Sequence, residues 1–181
     1  NYRANTGKVI FGTSTVGGSV SNSGTNNTTY PGTATSTVTT NPGYTFNKWT
    51  VAGGTEDTDY EITENNAGKI TIKPIKDGIS ITANASFTIN TYTVTFVDYD
   101  GETVIDTQTV EYGKAATAPA NPTRIGYTFK AWDTAFNNIT ANTTVRATYT
   151  PNKYTVSASA NAGGSATTSA ASVTYPDTVT L

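Results

Sequence analysis

The sequence has 181 residues, 35% of them hydrophobic and 13% charged, with a net charge of −2. That length suits one ordinary domain or two to three small ones, and the charge balance excludes both a basic nucleic-acid footprint and a strongly acidic solvating tail. Cysteine, methionine and histidine are absent, which removes disulfides, thiolate metal sites, thiol nucleophiles and the commonest general base.

Threonine is the commonest residue, with many Asn, Ser and Gly besides. β-Branched Thr fits a pleated, half-buried surface while Asn and Gly fit turns, so the chain reads as mainly β, with many tight connections. Residues 1–7 are expected to be a closing strand of a preceding unit or a linker, because Tyr2-Arg3-Ala4-Asn5 parallels Val145-Arg146-Ala147-Thr148. A first module is expected over residues 8–89. It opens on the strand Val9-Ile10-Phe11, turns at Gly17-Gly18, and runs through Ser19-Val20-Ser21 into an Asn/Thr-rich loop over 22–29. Ala34-Thr35-Ser36-Thr37-Val38-Thr39 reads as a mostly solvated strand. Tyr60, Ile62, Ile70 and Ile72 alternate with polar residues around a turn at Asn65-Asn66-Ala67-Gly68, which predicts a hairpin. Ile79, Ile81, Ala83, Ala85 and Phe87 form the clearest period-two strand, with one face buried and one wet.

A second module is expected over residues 90–152. Tyr92-Thr93-Val94-Thr95-Phe96 is its first strand, Asp98-Tyr99-Asp100-Gly101 a turn, and 102–112 the returning strand, ended by Gly113. Pro119 and Pro122 keep the connection 115–124 out of a sheet interior, with one helical turn expected over 114–118. Val145, Ala147 and Tyr149 mark the closing strand. Residues 153–181 read as an incomplete third module, its first hairpin only, built on Tyr154-Thr155-Val156 and Val173-Thr174-Tyr175. The sequence opens without a start Met or a signal peptide, as expected of a mature piece or a fragment.

One pattern occurs twice. Gly43-Tyr44-Thr45-Phe46-Asn47-Lys48-Trp49 returns as Gly126-Tyr127-Thr128-Phe129-Lys130-Ala131-Trp132, the signature of an internal repeat. Strict alternation would put the Tyr and Phe on one strand face and the Trp on the other. A bulge, or the strand's end, between Phe and Trp restores all three to one core, and the leading Gly permits a positive φ or a close approach. With 150–250 Å² per ring, these aromatics read as core rather than as a sugar-stacking platform.

Taken in order, Tyr92-Thr93-Val94-Thr95-Phe96, Asp100-Gly101, Val110-Glu111-Tyr112-Gly113, Pro119, Pro122-Thr123-Arg124, the second heptad and Ala147-Thr148-Tyr149 closely resemble the internalin-type B-repeat, also called the Listeria–Bacteroides repeat. The first module, with Gly17-Gly18, its heptad and Ile81-Thr82-Ala83, resembles the divergent form of that repeat, and the third resembles the start of another divergent copy. The resemblance implies small β-grasp-like or related all-β modules, strung in tandem as an extended rod-like array in secreted or wall-attached bacterial proteins. The insertion over 50–78 departs from the common pattern and implies a related module rather than a strict β-grasp there.

Candidate chemistry is sparse. Asp98-Tyr99-Asp100-Gly101-Glu102 has the look of a calcium loop, but Gly is not sixth and Thr109 stands where a bidentate Glu belongs, so a plain turn is expected. The acidic run Glu56, Asp57, Asp59, Glu61, Glu64 reads as a solvated face. No Ser or Thr has a His to activate it. Sequons at Asn26, Asn27, Asn84, Asn138 and Asn142 are what a Thr-rich chain generates by chance, and Lys8, Lys48, Lys114 and Lys130 are candidates for an intramolecular crosslink by residue type alone. No catalytic, cofactor-binding or metal-binding residue and no cofactor is expected. The function expected is a non-enzymatic structural or adhesive segment, a stalk or spacer, of an extracellular bacterial protein. One alternative is a filament or sheath subunit joined by strand addition between incomplete terminal modules; another is a carbohydrate- or host-binding module. Partners would be neighbouring modules of the same chain, other copies of itself, or a host or glycan surface, with no nucleic acid and no membrane insertion.

Overall fold

The computed structural model describes residues 5–180, and among these every regular element is a strand; Tyr2, Arg3 and Ala4 lie outside the described residues. The chain divides into two compact units, Asn1–Asn90 and Thr91–Leu181.

The first unit holds strands β1 (Thr6–Thr13), β2 (Gly18–Val20), β3 (Gly24–Thr29), β4 (Ala34–Thr40), β5 (Tyr44–Ala52), β6 (Tyr60–Asn66), β7 (Lys69–Pro74) and β8 (Ile79–Ile89). One sheet runs β3-β1-β8-β5, with β1 and β8 parallel at its centre, and a second runs β2-β4-β7-β6. Val9 and Phe11 of β1, Trp49 of β5 and Ile81, Ala83, Ala85 and Phe87 of β8 join Ala34, Tyr60, Ile70 and Ile72 of the other sheet in one buried cluster. The core therefore lies between the sheets, and the alternation seen in β8 follows from its single buried face.

Two local expectations change here. Residues 24–29, expected in a loop, pair antiparallel with β1 as an edge strand. An edge strand needs no apolar alternation, so its Thr and Asn residues concealed it. β4, expected to be mostly solvated, is an inner strand that buries Ala34 and Ser36. The Ser36 hydroxyl donates to the Ser21 carbonyl at 2.5 Å, which satisfies its polar group in the core. The β6–β7 hairpin turns at Ala67-Gly68, both with positive φ.

The second unit holds β9 (Thr91–Val97), β10 (Val104–Glu111), β11 (Tyr127–Trp132), β12 (Thr143–Pro151) and a small hairpin, β13 (Lys153–Thr155) with β14 (Ser172–Thr174). Its main sheet runs β10-β9-β12-β11 with β9 and β12 parallel, so it repeats the order and directions of β3-β1-β8-β5. Val94, Phe96, Val110 and Val145 fill one face, covered by Ala116, Phe136 and Ile139 from the two connections. Those connections bond to one another: Ala116 N–H to the Phe136 carbonyl at 2.9 Å and Ile139 N–H to the Lys114 carbonyl at 2.9 Å. Residues 114–118, expected to form a helical turn, instead carry no regular element: the Ala116 N–H and the Lys114 carbonyl are used in this bonding, the Thr117 N–H goes to the Gln108 side chain, and Ala116 is buried in the core. In the first unit the corresponding connections are long enough to become β4 and β7, which pair directly. One sheet thus carries two different covers.

Candidate functional site

Both copies of the heptad are strands with a bulge between Phe and Trp, the first of the two breaks expected there. The β5–β8 register shifts between Phe46 and Lys48, and the β11–β12 register between Phe129 and Ala131. The extra residue exposes two successive side chains and returns the Trp to the face of the Phe, with ring centroids 6.2 Å apart for Phe46–Trp49 and 5.3 Å for Phe129–Trp132. Trp49 is buried and its Nε1–H donates to the Gly68 carbonyl at 3.3 Å. Trp132 is half-buried against Phe96 at 5.0 Å. In the first unit Tyr44 and Phe46 pack with Trp49 against the core; in the second only Trp132 does so, while Phe129 meets Trp132 and Tyr149, and Tyr127 meets Arg124 and Tyr175.

The glycine that opens each heptad forms a corner with an Asn that follows the closing strand. Gly43 and Gly126 both have φ of 79°. Asn90 N–H donates to the Gly43 carbonyl at 2.8 Å, and Asn152 N–H to the Gly126 carbonyl at 2.9 Å. The next Thr but one closes the corner from its side chain: Thr45 Oγ1 donates to Asn90 Oδ1 at 2.6 Å, and Thr128 Oγ1 to Asn152 Oδ1 at 2.7 Å. In the second unit the β13–β14 hairpin completes the arrangement. Tyr175 N–H donates to the Asn152 carbonyl at 2.9 Å, and its ring meets that of Tyr127 edge-on at 5.3 Å. A Cβ on Gly126 would lie 2.4 Å from that ring, so only glycine admits it.

Beside this corner lies a cluster that the sequence reading missed. The Arg124 guanidinium stacks between Tyr99 and Tyr127, 3.6 Å and 3.9 Å from their centroids. Tyr149 lies edge-on to Tyr99 and donates to Asp98 Oδ1 at 2.7 Å. Burial, then the bond to Asp98, pushes the Tyr149 phenol up to about 12. The first unit has Phe87 and Asn41 at the positions of Tyr149 and Arg124, so the shared sheet does not require the cluster. No spacing signal could reveal it, since Tyr99 and Arg124 meet only through the fold.

The residues considered for calcium are committed elsewhere. Asp100 Oδ1 accepts from the N–H groups of Glu102 and Thr103, both at 2.9 Å, and Oδ2 from the Thr103 hydroxyl at 2.5 Å. The Thr103 hydroxyl and then these amides hold its carboxyl down to about 2. A folded-state value below the unfolded one stabilises the turn above the ordinary Asp range, and that contribution fades as pH falls from about 4 towards 2. Asp100→Asn should therefore flatten the acid limb of stability. Thermal unfolding recorded from pH 5 to pH 2 checks this, and parallel limbs in both proteins would contradict it. The acidic run is distributed among lysines: Glu61–Lys73 at 2.8 Å, Glu64–Lys69 at 2.7 Å and Asp59–Lys76 at 3.0 Å. Asp59 also accepts from Thr55 N–H at 2.9 Å, which with Lys76 lowers its carboxyl below the usual value. Among the described residues no three carboxylates converge on a metal position.

Lys8, Lys48, Lys114 and Lys130 are all exposed. Of the sequon asparagines, Asn26 bonds its side chain to the Asn22 and Gly24 carbonyls and Asn142 accepts from Thr93 N–H, while Asn27 and Asn138 are exposed and Asn84 half-buried in β8.

Residues 92–159 match the family model of the Listeria–Bacteroides repeat domain. The chain is similar to Internalin H of Listeria monocytogenes, with 40% identity over 98 residues, covering 53% of this chain and 15% of that protein. It is also similar to a protein described as a Gly-rich membrane protein of Evansella cellulosilytica, with 30% identity over 131 residues, covering 67% of this chain and 14% of that one. The chain thus spans about a seventh of the length of either relative.

Proposed function

We propose that this chain, which carries an internalin-type B-repeat at residues 92–159, is a non-enzymatic structural or adhesive repeat segment, a stalk or spacer, of a bacterial protein exposed at the cell surface. The observation that carries the reading is the repeated corner. Two sheets of one topology, under different covers, each bind the Asn after the closing strand to the glycine and threonine that begin the heptad. A fold that keeps its chain-joining corner while its covers diverge is built to be strung together, and stability in such arrays sums over repeats and their interfaces. The homology to Internalin H supports the surface setting. The partners proposed are neighbouring modules first; other copies in a filament and a host or glycan surface are weaker readings, because Tyr99 and Tyr127 present a face each to Arg124 rather than to a sugar.

Protease treatment of intact cells that make the parent protein should release peptides from residues 5–180, identified by mass spectrometry. Recovery of those peptides only after lysis would contradict surface exposure. Replacing the segment by an unrelated domain of similar length should preserve the parent protein's activity if the segment is a spacer, and abolish it if the segment itself binds.

A further inference from the structure

Asn5 and Tyr30 occupy, in the first unit, the places that Asn152 and Tyr175 occupy at the corner of the second. Thr6 pairs with Thr29 as Lys153 pairs with Thr174. Tyr30 N–H donates to the Asn5 carbonyl at 2.8 Å, as Tyr175 N–H donates to the Asn152 carbonyl at 2.9 Å. The difference is what these residues meet. Asn152 gives its N–H to Gly126 and accepts Thr128 at Oδ1, while the Tyr175 ring rests on Gly126 and Tyr127. Asn90 uses the same two groups on Gly43 and Thr45. The N–H and Oδ1 of Asn5 have no partner among the described residues; besides its carbonyl, only its Nδ2 bonds, to the Ile75 carbonyl at 3.0 Å. Tyr30 is 49% exposed, against 37% for Tyr175, with the Lys73 ammonium 5.3 Å from its ring centroid.

We propose that Asn5 and Tyr30 form the docking half of a module joint, and that its occupant is the Gly-Tyr-Thr corner of a further module placed immediately before Asn5 in the same polypeptide. The complementarity is specific. An amide N–H and a side-chain oxygen on Asn5 meet a glycine carbonyl and a threonine hydroxyl, and a flat ring meets a residue without a Cβ. The covalent order follows from the two corners described. Asn90 and Asn152 directly follow β8 and β12, and their N–H bonds extend the ladders in which Tyr44 pairs with Ile89 and Tyr127 with Pro151. A closing strand that runs straight into Asn5 supplies this ladder.

The inference rests on the tandem-repeat reading, and its test separates the two. A chain is made in which residues 91–151 are repeated directly ahead of Asn5, with everything from Asn5 onward intact, and amide exchange is followed by NMR. The Asn5 amide should exchange at least about tenfold more slowly than in the 181-residue chain. Tyr30→Ala, or Gly126→Val in the added copy alone, should abolish that slowing. If the added strands are protected while the Asn5 amide still exchanges as before, the joint is wrong and the tandem reading survives. If the added copy fails to fold in this setting, both fall. If the unmodified chain slows its own Asn5 amide with rising concentration and sediments as a dimer, the occupant is a separate copy and the assignment to one polypeptide is overturned.

Discussion

Replacing Trp49 by alanine is expected to destabilise the first unit by about 3–5 kcal/mol, the range for removing a buried Trp or Phe side chain from a core. The ring is 7% exposed and packs on Phe11 and Phe46, at 6.1 Å and 6.2 Å between centroids. Its Nε1–H reaches the Gly68 carbonyl of the β6–β7 turn in the opposite sheet, so it ties the two layers together as well as filling space. The lost hydrogen bond is the smaller part of the cost. Gly68 O also accepts from Val38 N–H at 3.0 Å and keeps that partner in the variant, so no buried acceptor is orphaned. The cavity dominates, and against a domain stability of about 5–15 kcal/mol it is a large fraction. Urea denaturation followed by far-UV circular dichroism measures it. A change below about 1 kcal/mol would mean that the sheets hold together without the ring. Trp132→Ala should cost less, because that ring is only half-buried and its cover is a pair of loops.

The contrast between the two tryptophans shows how far the sequence could be read. The break in alternation between Phe and Trp predicted a bulge or a strand end in each copy, because side-chain parity in a strand is a strict period of two, and register shifts stand at both places. The strand over 79–89 was legible for the same reason. The edge strand over 24–29 was not, since a strand with solvent on its outer edge carries no apolar period. Nor was the difference between the covers: whether 114–118 coils or extends is decided by bonds to 136–139, which no local propensity encodes. The corner was half legible. The glycines announced a positive φ, but the role of Asn90 and Asn152 depends on a partner 45 and 24 residues distant, respectively. The Arg124 cluster left no trace at all, because its members are separated in sequence and each is ordinary in its own context.

Gly126→Ala should separate two costs that glycine avoids at one position. The first is conformational. A φ of 79° is left-handed, and an L side chain there loses about 1–2 kcal/mol relative to the right-handed region. The second is steric. The new Cβ would sit 2.4 Å from the Tyr175 ring, far inside van der Waals contact, so the ring must leave and the edge-on contact with Tyr127 goes with it, worth about 0.5–1.5 kcal/mol. A double-mutant cycle with Tyr175→Ala divides them. In the Tyr175→Ala background only the conformational part remains, so the two single effects should sum to more than the double effect by about 0.5–1.5 kcal/mol. Exchange of the Tyr175 and Val156 amides is the sensitive readout in the Gly126→Ala single variant, since they bond to Asn152 and Ala171 and report the hairpin rather than the main sheet. A hairpin of three residue pairs is marginal in water by itself. Undocking its tyrosine should therefore open it while β9 to β12 keep their protection. Strict additivity would show that the ring and the glycine are independent and that the hairpin is held by something else. Equal loss of protection in the main sheet would show that the corner belongs to the core of the module rather than to its junction.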